Sequence, residues 1–243
     1  TPVRKKSATW SISLGILIAV PVIFHHDFFF QQKSFENRAI WYSSVSGGLL
    51  IDAFEKHGVV SYFFSDPATS FIYNEPVALL IRQSLLDGKL PFWSNKIGFG
   101  QPLVENVQTG IFFPLHWLAL LAPGSLGLDL VFMGRLFACF ASFFFFLRFA
   151  WKMSLPASIA GAVIYAYTGH GLTRLNMNSY NVYAVFPLYL MGIHESSHSR
   201  ARAVTLLAIS LALLIFAGFP QPLIGAGYFS LIYVIAQYFA IDR

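Results

Sequence analysis

The chain has 243 residues, of which 56% are hydrophobic and only 11% are Asp, Glu, Lys or Arg. Soluble domains carry roughly 25% charged residues and disordered chains carry more, so this composition excludes both classes and indicates an integral membrane protein built from helices. The single cysteine excludes a disulfide framework and a Cys-based metal site, and we interpret the net charge of +5 as a topology signal, with no nucleic-acid partner expected.

The first predicted element follows a basic tail. Arg4, Lys5 and Lys6 precede an apolar run over Trp10–Phe24. This order is typical of a signal peptide, but no small-residue cleavage site follows the run. We therefore expect residues 1–24 to form a cytoplasmic basic tail and an uncleaved first transmembrane helix.

Residues 25–122 are predicted to form one long extracytoplasmic loop, and Gln31–Gly110 within it is the most polar part of the chain. Within this loop, Phe71–Leu86 has amphipathic spacing, which is typical of a helix lying at the membrane interface. Ile111–Ala122 is apolar but too short to span a bilayer, so it is predicted to be a re-entrant or interfacial segment.

Residues 123–243 are predicted to supply transmembrane helices two to six. The five apolar segments are about Leu126–Ala150, Pro156–Tyr167, Val182–Ile193, Val204–Phe216 and Leu223–Ala240. The predicted fold class is all-α: a polytopic membrane helical bundle of about six transmembrane helices, with interfacial helices in its long first extracytoplasmic loop.

The distribution of charge predicts the orientation. With the N-terminus in the cytoplasm, the cytoplasmic side carries only Glu195 and Asp242 as acids. The basic residues on that side are Arg4, Lys5, Lys6, Arg148, Lys152, Arg200, Arg202 and Arg243. Such an excess of basic residues is what the positive-inside rule predicts for cytoplasmic loops.

The same topology brings polar residues from three outer loops to one face of the membrane. The candidate site residues are Asp66, Glu75, Lys96, Asn106 and Gln108 from the first loop, His170 and Arg174 from the second, and Gln221 from the third. Each has a structural alternative. Asp66 between Ser65 and Pro67 suits a helix cap, and Arg174 suits a snorkelling contact with lipid headgroups.

The other candidates also have ordinary structural interpretations. Glu75 suits the solvated face of an amphipathic helix, and His170 between two glycines suits a polar cap as well as a ligand or base. Asn106 and Gln108 suit hydrogen bonds to loop backbone. The convergence of three loops, and not any single residue, therefore indicates a site.

Arg135 lies inside the second predicted span, where a charged side chain is costly without a partner. We expect either a structural pair with another residue or a contact with lipid phosphate. Asp129 is the nearby carboxylate, but their spacing on a helix does not place the two side chains face to face.

Several segments together resemble one family. They are Leu85–Asn95, Gly98-Phe99-Gly100-Gln101-Pro102, Asn106-Val107-Gln108, Phe113-Pro114-Leu115, Tyr167-Thr168-Gly169-His170, Phe186-Pro187-Leu188 and Ala217-Gly218-Phe219-Pro220-Gln221. In this order they resemble the YfhO-like family of bacterial membrane proteins over most of the chain beyond Asp66. Phe219 departs from the histidine usual in that turn, and Glu105 departs from the small residue expected before Asn106.

The resemblance implies a C-type glycosyltransferase of the bacterial cytoplasmic membrane, which takes a sugar from a polyprenyl-phosphate carrier on the extracytoplasmic face. It places the catalytic acid at Asp66, either as general base or as ligand of a divalent metal ion. The remaining candidates, Glu75, Lys96, Asn106, Gln108, His170, Arg174 and Gln221, would bind substrate. Family members are longer, so we expect this chain to correspond to their N-terminal six-span part. The alternative is a non-catalytic structural subunit of a larger membrane complex, with membrane lipid and other subunits as partners.

Overall fold

A computed structural model describes residues 15–26, 30, 69, 73–122 and 125–241. The chain divides into two compact units, Thr1–Ser61 and Tyr62–Arg243, which are described separately. In the first unit, helix α1 spans Gly15–Phe24 and is apolar, as the sequence predicts for this stretch. The start of the predicted helix at Trp10 lies outside the described residues.

The second unit is mostly helical, which confirms the all-α class. Its helices are α2 (Glu75–Leu86), α3 (Leu118–Leu121), α4 (Ser125–Phe145), α5 (Leu155–Ala166), α6 (Gly169–Leu172), α7 (Ser179–Glu195), α8 (Arg200–Phe216) and α9 (Pro220–Ile241). Two short strands, β1 (Trp93–Ser94) and β2 (Gln101–Pro102), form an antiparallel hairpin in which Trp93 pairs with Pro102.

Helix α2 is the amphipathic helix that the sequence predicts. Its first turn carries Glu75 and Pro76, where a negative charge and a missing N–H suit the helix start. Asp87 and Gly88 end it, and Gly88 takes a left-handed backbone with φ +70°. After the hairpin, the chain forms 3-10 turns at Val107–Thr109 and Pro114–Trp117.

Helix α4 is the centre of the second unit. It packs against α3, α5 and α7, and a π-helical turn continues it over Phe146–Ala150. The combined segment Leu126–Ala150 is long and apolar enough to cross a membrane, and 67% of its most apolar window is buried inside the protein. A helix that is hydrophobic all round either lies in a protein core or spans a membrane.

Helix α9 is the second helix that is long and apolar enough to cross a membrane, over Pro220–Phe239, but only 11% of its window is buried. Its apolar side chains are therefore mostly exposed. Helices also occur at the other predicted spans, but α5 has 12 residues and α7 and α8 have 17 each. A bundle of six transmembrane helices is consequently a proposal that goes beyond these two helices.

Candidate functional site

Arg135 is the centre of a buried polar cluster. It lies on α4 with 1% of its surface exposed, and its guanidinium makes four hydrogen bonds. Nε donates to Asn181 Oδ1 at 2.9 Å, and Nη1 donates to the Leu175 carbonyl at 2.7 Å. Nη2 donates to Asn178 Oδ1 at 2.7 Å and to His116 Nε2 at 2.8 Å. We call these five residues the Arg135 cluster.

Every acceptor in the Arg135 cluster is neutral. Among the described residues, the one salt bridge joins Arg202 to Glu195, and no carboxylate pairs with Arg135. Of the two predicted alternatives for Arg135, the structure shows structural partners within the described residues, and these are neutral amide, carbonyl and imidazole acceptors. The contact with lipid phosphate stays a prediction. The hydrogen bonds offset the cost of burying the N–H groups, but none of these contacts neutralises the positive charge.

The protonation state of His116 follows from its partners. Nδ1 lies 3.1 Å from the Thr109 carbonyl, which can only accept, so Nδ1 carries the proton. Nε2 is then an acceptor, and it receives the Arg135 bond and a 3.2 Å bond from Asn181 Nδ2. Burial, and secondly the charge of Arg135, lower the pKa of His116 to about 3, so the ring is neutral at physiological pH.

The Arg135 cluster ties three separate segments together. Asn178 Nδ2 donates to the carbonyl of Gln108 in the first predicted loop, and Asn181 Nδ2 donates at 2.8 Å to the Ala217 carbonyl between α8 and α9. Gly218 has φ +85° and lies against Asn178, where a side chain would be crowded. The structure thus joins Gln108 from the first predicted loop to Asn178 from the second, and Asn181 to the backbone just before the third.

An apolar cavity of about 320 Å³ adjoins the Arg135 cluster. Helix α2, the start of the hairpin, the Ile111–Leu120 segment and the first half of α4 enclose it. Its wall is largely aliphatic and aromatic. The polar residues that line it are Tyr73, Asn74, Gln108, Thr109, His116 and Arg135. The cavity therefore combines a largely apolar wall with one buried cation, Arg135, among its lining residues.

Hydrogen bonds hold α2 over this cavity. Asn74 Nδ2 donates to the Asn176 carbonyl at 2.9 Å, and Arg82 Nε donates to the Leu120 carbonyl at 3.1 Å. The Tyr73 hydroxyl accepts from Asn106 Nδ2 at 2.7 Å. Burial raises the pKa of Tyr73, so the phenol stays protonated and keeps a proton to donate toward the cavity.

The structure brings only some of the predicted site residues to this place. Asp66 lies outside the described residues. Gln108 lines the cavity, and Asn106 bonds to Tyr73 and caps the 3-10 turn by accepting from Gln108 N. The predicted residues that do not line the cavity are Glu75, Lys96, His170, Arg174 and Gln221. Glu75 and Gln221 lie in the first turns of α2 and α9, Lys96, His170 and Gln221 are exposed, and Arg174 is half-buried. His170 Nε2 lies 3.3 Å from the Tyr183 hydroxyl.

Sequence reasoning missed His116. A signal was present, since His116 follows Pro114 in an apolar segment that could not span, just before a helix containing a buried arginine. It was not decisive, because nothing in the sequence places this histidine beside Arg135.

No group of three or more His, Cys, Asp or Glu side chains suited to a metal ion occurs within the described residues, and the predicted metal role of Asp66 stays a prediction. In comparisons with known proteins, no family model, no curated protein and no solved structure matches the chain. The resemblance to the YfhO-like family likewise stays a prediction.

Proposed function

We propose that the chain is a membrane glycosyltransferase, or the N-terminal part of one, that transfers a sugar from a polyprenyl-phosphate carrier. In this proposal the bundle has six transmembrane helices in the bacterial cytoplasmic membrane, the N-terminus is cytoplasmic, and the site faces the extracytoplasmic side. One observation carries it: the residues that line an apolar cavity include a buried arginine whose charge no described carboxylate neutralises.

The two kinds of lining residue match the two parts of such a donor. The apolar wall between α2 and α4 suits a segment of isoprenoid chain, since burying apolar surface is the main favourable term in binding it. The cation Arg135 suits a phosphate. The four hydrogen bonds of Arg135 already engage its three nitrogens, so Arg135 acts on the phosphate through its field, which is weakly screened in a low-dielectric interior.

Polar groups at the same cavity extend this interpretation. Tyr73 presents a protonated hydroxyl, and Gln108 and Asn74 present amides. A few placed polar groups on an otherwise apolar wall are typical of small-molecule sites, where they fix orientation. In the same proposal, Lys96, His170, Arg174 and Gln221 are further contacts with the substrate.

The proposed reaction assigns Asp66 the base. Its carboxylate accepts the proton of the acceptor hydroxyl while that oxygen bonds to the anomeric carbon of the sugar. The bond between the anomeric carbon and the phosphate oxygen breaks, and its electron pair leaves on polyprenyl phosphate. A divalent metal ion held by the same carboxylate is the alternative role, in which it neutralises the leaving phosphate.

The test is sugar transfer from a polyprenyl-phosphate donor in proteoliposomes. Asp66→Asn is expected to abolish transfer. Asp87→Asn is the matched control, because Asp87 is an exposed carboxylate that accepts from Gln83 beyond the end of α2. Ala78→Phe, which fills the cavity, is expected to raise the KM for the lipid donor. Transfer unchanged in Asp66→Asn, or a KM unchanged in Ala78→Phe, would refute the corresponding assignment.

A second candidate function, a structural subunit of a larger membrane complex, has its own support. Helix α9 exposes large apolar side chains along its length, among them Phe229 at 66% and Phe239 at 65%. Such a surface suits neighbouring transmembrane helices as well as lipid. Stoichiometric co-purification with other membrane subunits, without binding of a lipid-linked sugar, would favour this candidate over the enzyme.

A further inference from the structure

The hairpin formed by β1 and β2 exposes a large part of three aromatic side chains. Phe92 is 59% exposed, Trp93 is 58% exposed and Phe99, at the turn, is fully exposed at 111%. Single exposed apolar residues are normal on proteins, but a short segment that presents three large aromatics marks an interaction surface. We call residues 88–102 the aromatic hairpin.

Its backbone holds the aromatics outward. Gly98 and Gly100, on either side of Phe99, have φ values of +58° and +100°, which L side chains rarely adopt. The Trp93 indole packs directly against Gly100, where a Cβ would lie 2.9 Å from Trp93 Cζ2. Trp93 Nε1 also donates to Asn95 Oδ1 at 2.7 Å. The exposure of Phe99 therefore belongs to a defined turn.

The position of the aromatic hairpin along α4 indicates what it meets. Leu90, Pro91 and Phe92 line the same cavity as Leu128 and Val131. Those two residues lie in the first two turns of the segment Leu126–Ala150, which is long and apolar enough to cross a membrane. The start of a membrane-crossing helix lies near the bilayer surface, and a hairpin that shares a cavity wall with those first two turns is within reach of that surface.

The charges of the aromatic hairpin match lipid headgroups. Lys89 and Lys96 are both exposed, and residues 88–102 contain no Asp or Glu. Aromatic rings with nearby lysines are the composition of interfacial segments, where the rings enter the headgroup layer and the ammonium groups meet lipid phosphates. A surface that binds a protein partner would not need to lie at the level of the bilayer surface.

We propose that the aromatic hairpin is a membrane anchor, which inserts Phe92, Trp93 and Phe99 into the interfacial layer of the bilayer that α4 crosses. Phe92 belongs both to the anchor and to the wall of the cavity. The anchor therefore holds that wall at the membrane surface. The inference uses the membrane location in the proposed function but none of its chemistry.

The test places a fluorescent label at chosen sites of the full chain in lipid nanodiscs. Cys139, the single native cysteine, is 1% exposed and is replaced by Cys139→Ala, so that only introduced cysteines react. An environment-sensitive dye is attached at Phe99→Cys. Ile232→Cys on the exposed face of α9 is the membrane reference, and Ser197→Cys in the exposed polar turn after α7 is the water reference.

A label at residue 99 is expected to show a blue-shifted emission relative to residue 197 and to lose intensity when brominated lipids replace the ordinary ones, as at residue 232. Water-like, unquenched emission at residue 99 beside quenching at residue 232 would overturn the anchor and leave the membrane location intact. A blue shift without quenching would mean that protein covers the hairpin, which also overturns the anchor. Absence of quenching at residue 232 would overturn the membrane location and the anchor with it, whatever the result of the transfer assay.

Discussion

Asn181→Ala is the most informative change to the Arg135 cluster, because one fully buried amide serves three elements. Its Oδ1 accepts from Arg135 Nε at 2.9 Å on α4. Its Nδ2 donates to the Ala217 carbonyl at 2.8 Å, and it also approaches His116 Nε2 at 3.2 Å. Alanine removes all three contacts and adds none.

The expected loss of stability follows from the groups left without partners. Arg135 Nε–H and the Ala217 oxygen are buried, and leaving such a group unsatisfied costs about 1–3 kcal/mol each, with charged donors at the upper end. His116 Nε2 keeps its bond from Arg135 Nη2, so it adds little. Hydrogen bonds between membrane helices average only about 0.6 kcal/mol, which lowers the sum. We expect a free energy of unfolding that is about 3 kcal/mol lower.

Reversible unfolding in mild detergent measures this value against Asn95→Ala as a matched control. Asn95 is exposed, and its Oδ1 accepts one bond, from Trp93 Nε1; its loss should cost less than about 1 kcal/mol. In an Arg135→Met background, Asn181→Ala should cost less than in the wild type, since its charged partner is gone. A loss below about 1 kcal/mol, or equal losses in both backgrounds, would refute the role given to the Arg135 bond.

Three further predictions concern the same unit. Gly110→Ala should destabilise the protein by more than Gly98→Ala in thermal unfolding, since both glycines have φ near +60° but a Cβ at Gly110 overlaps the His116 ring while Gly98 faces open space; equal losses would contradict this. The pKa of His116 is held at about 3 in the folded protein, against 6.5 in the unfolded chain. Below pH 6.5 the unfolded state therefore binds more protons, and the stability that His116 contributes is lost as the pH decreases. The stability gap between wild type and His116→Gln should therefore shrink by about 2 kcal/mol from pH 7 to pH 5, and a constant gap would show that the ring is not held neutral. Gly192→Val should cost about 1–3 kcal/mol by overpacking, since a Cβ there lies 2.9 Å from Leu207 Cγ and 3.1 Å from its backbone nitrogen, and an unchanged Tm would contradict the close approach of α7 and α8.

The sequence predicted the positions of the helices well, because their signals are local. The amphipathic spacing before Asp87-Gly88 gave helix α2, and the long apolar run gave α4. Periodicity and turn residues act within a few residues of one another, so a single sequence contains them. The number of membrane crossings is different, since it depends on the lengths of α5, α7 and α8 and on what covers them.

The site was predictable only in outline. Hydropathy and charge placed three polar loops on one side, and the structure joins Gln108, Asn178 and Asn181 around Arg135. The identity of the partners was not predictable, because each bond joins residues at least 19 positions apart and depends on the packing of α7 against α4. The sequence indicated that Arg135 needs a partner, and the structure supplies neutral ones, because amide, carbonyl and imidazole acceptors can satisfy a guanidinium geometrically.

That difference bears on function. A buried ion pair would neutralise Arg135, and the field at the neighbouring cavity would be small. Neutral acceptors satisfy the N–H groups but leave a full positive charge, at a desolvation cost of several kcal/mol that packing alone does not recover. In the proposed function, the phosphate of the donor would recover part of that cost on binding beside Arg135.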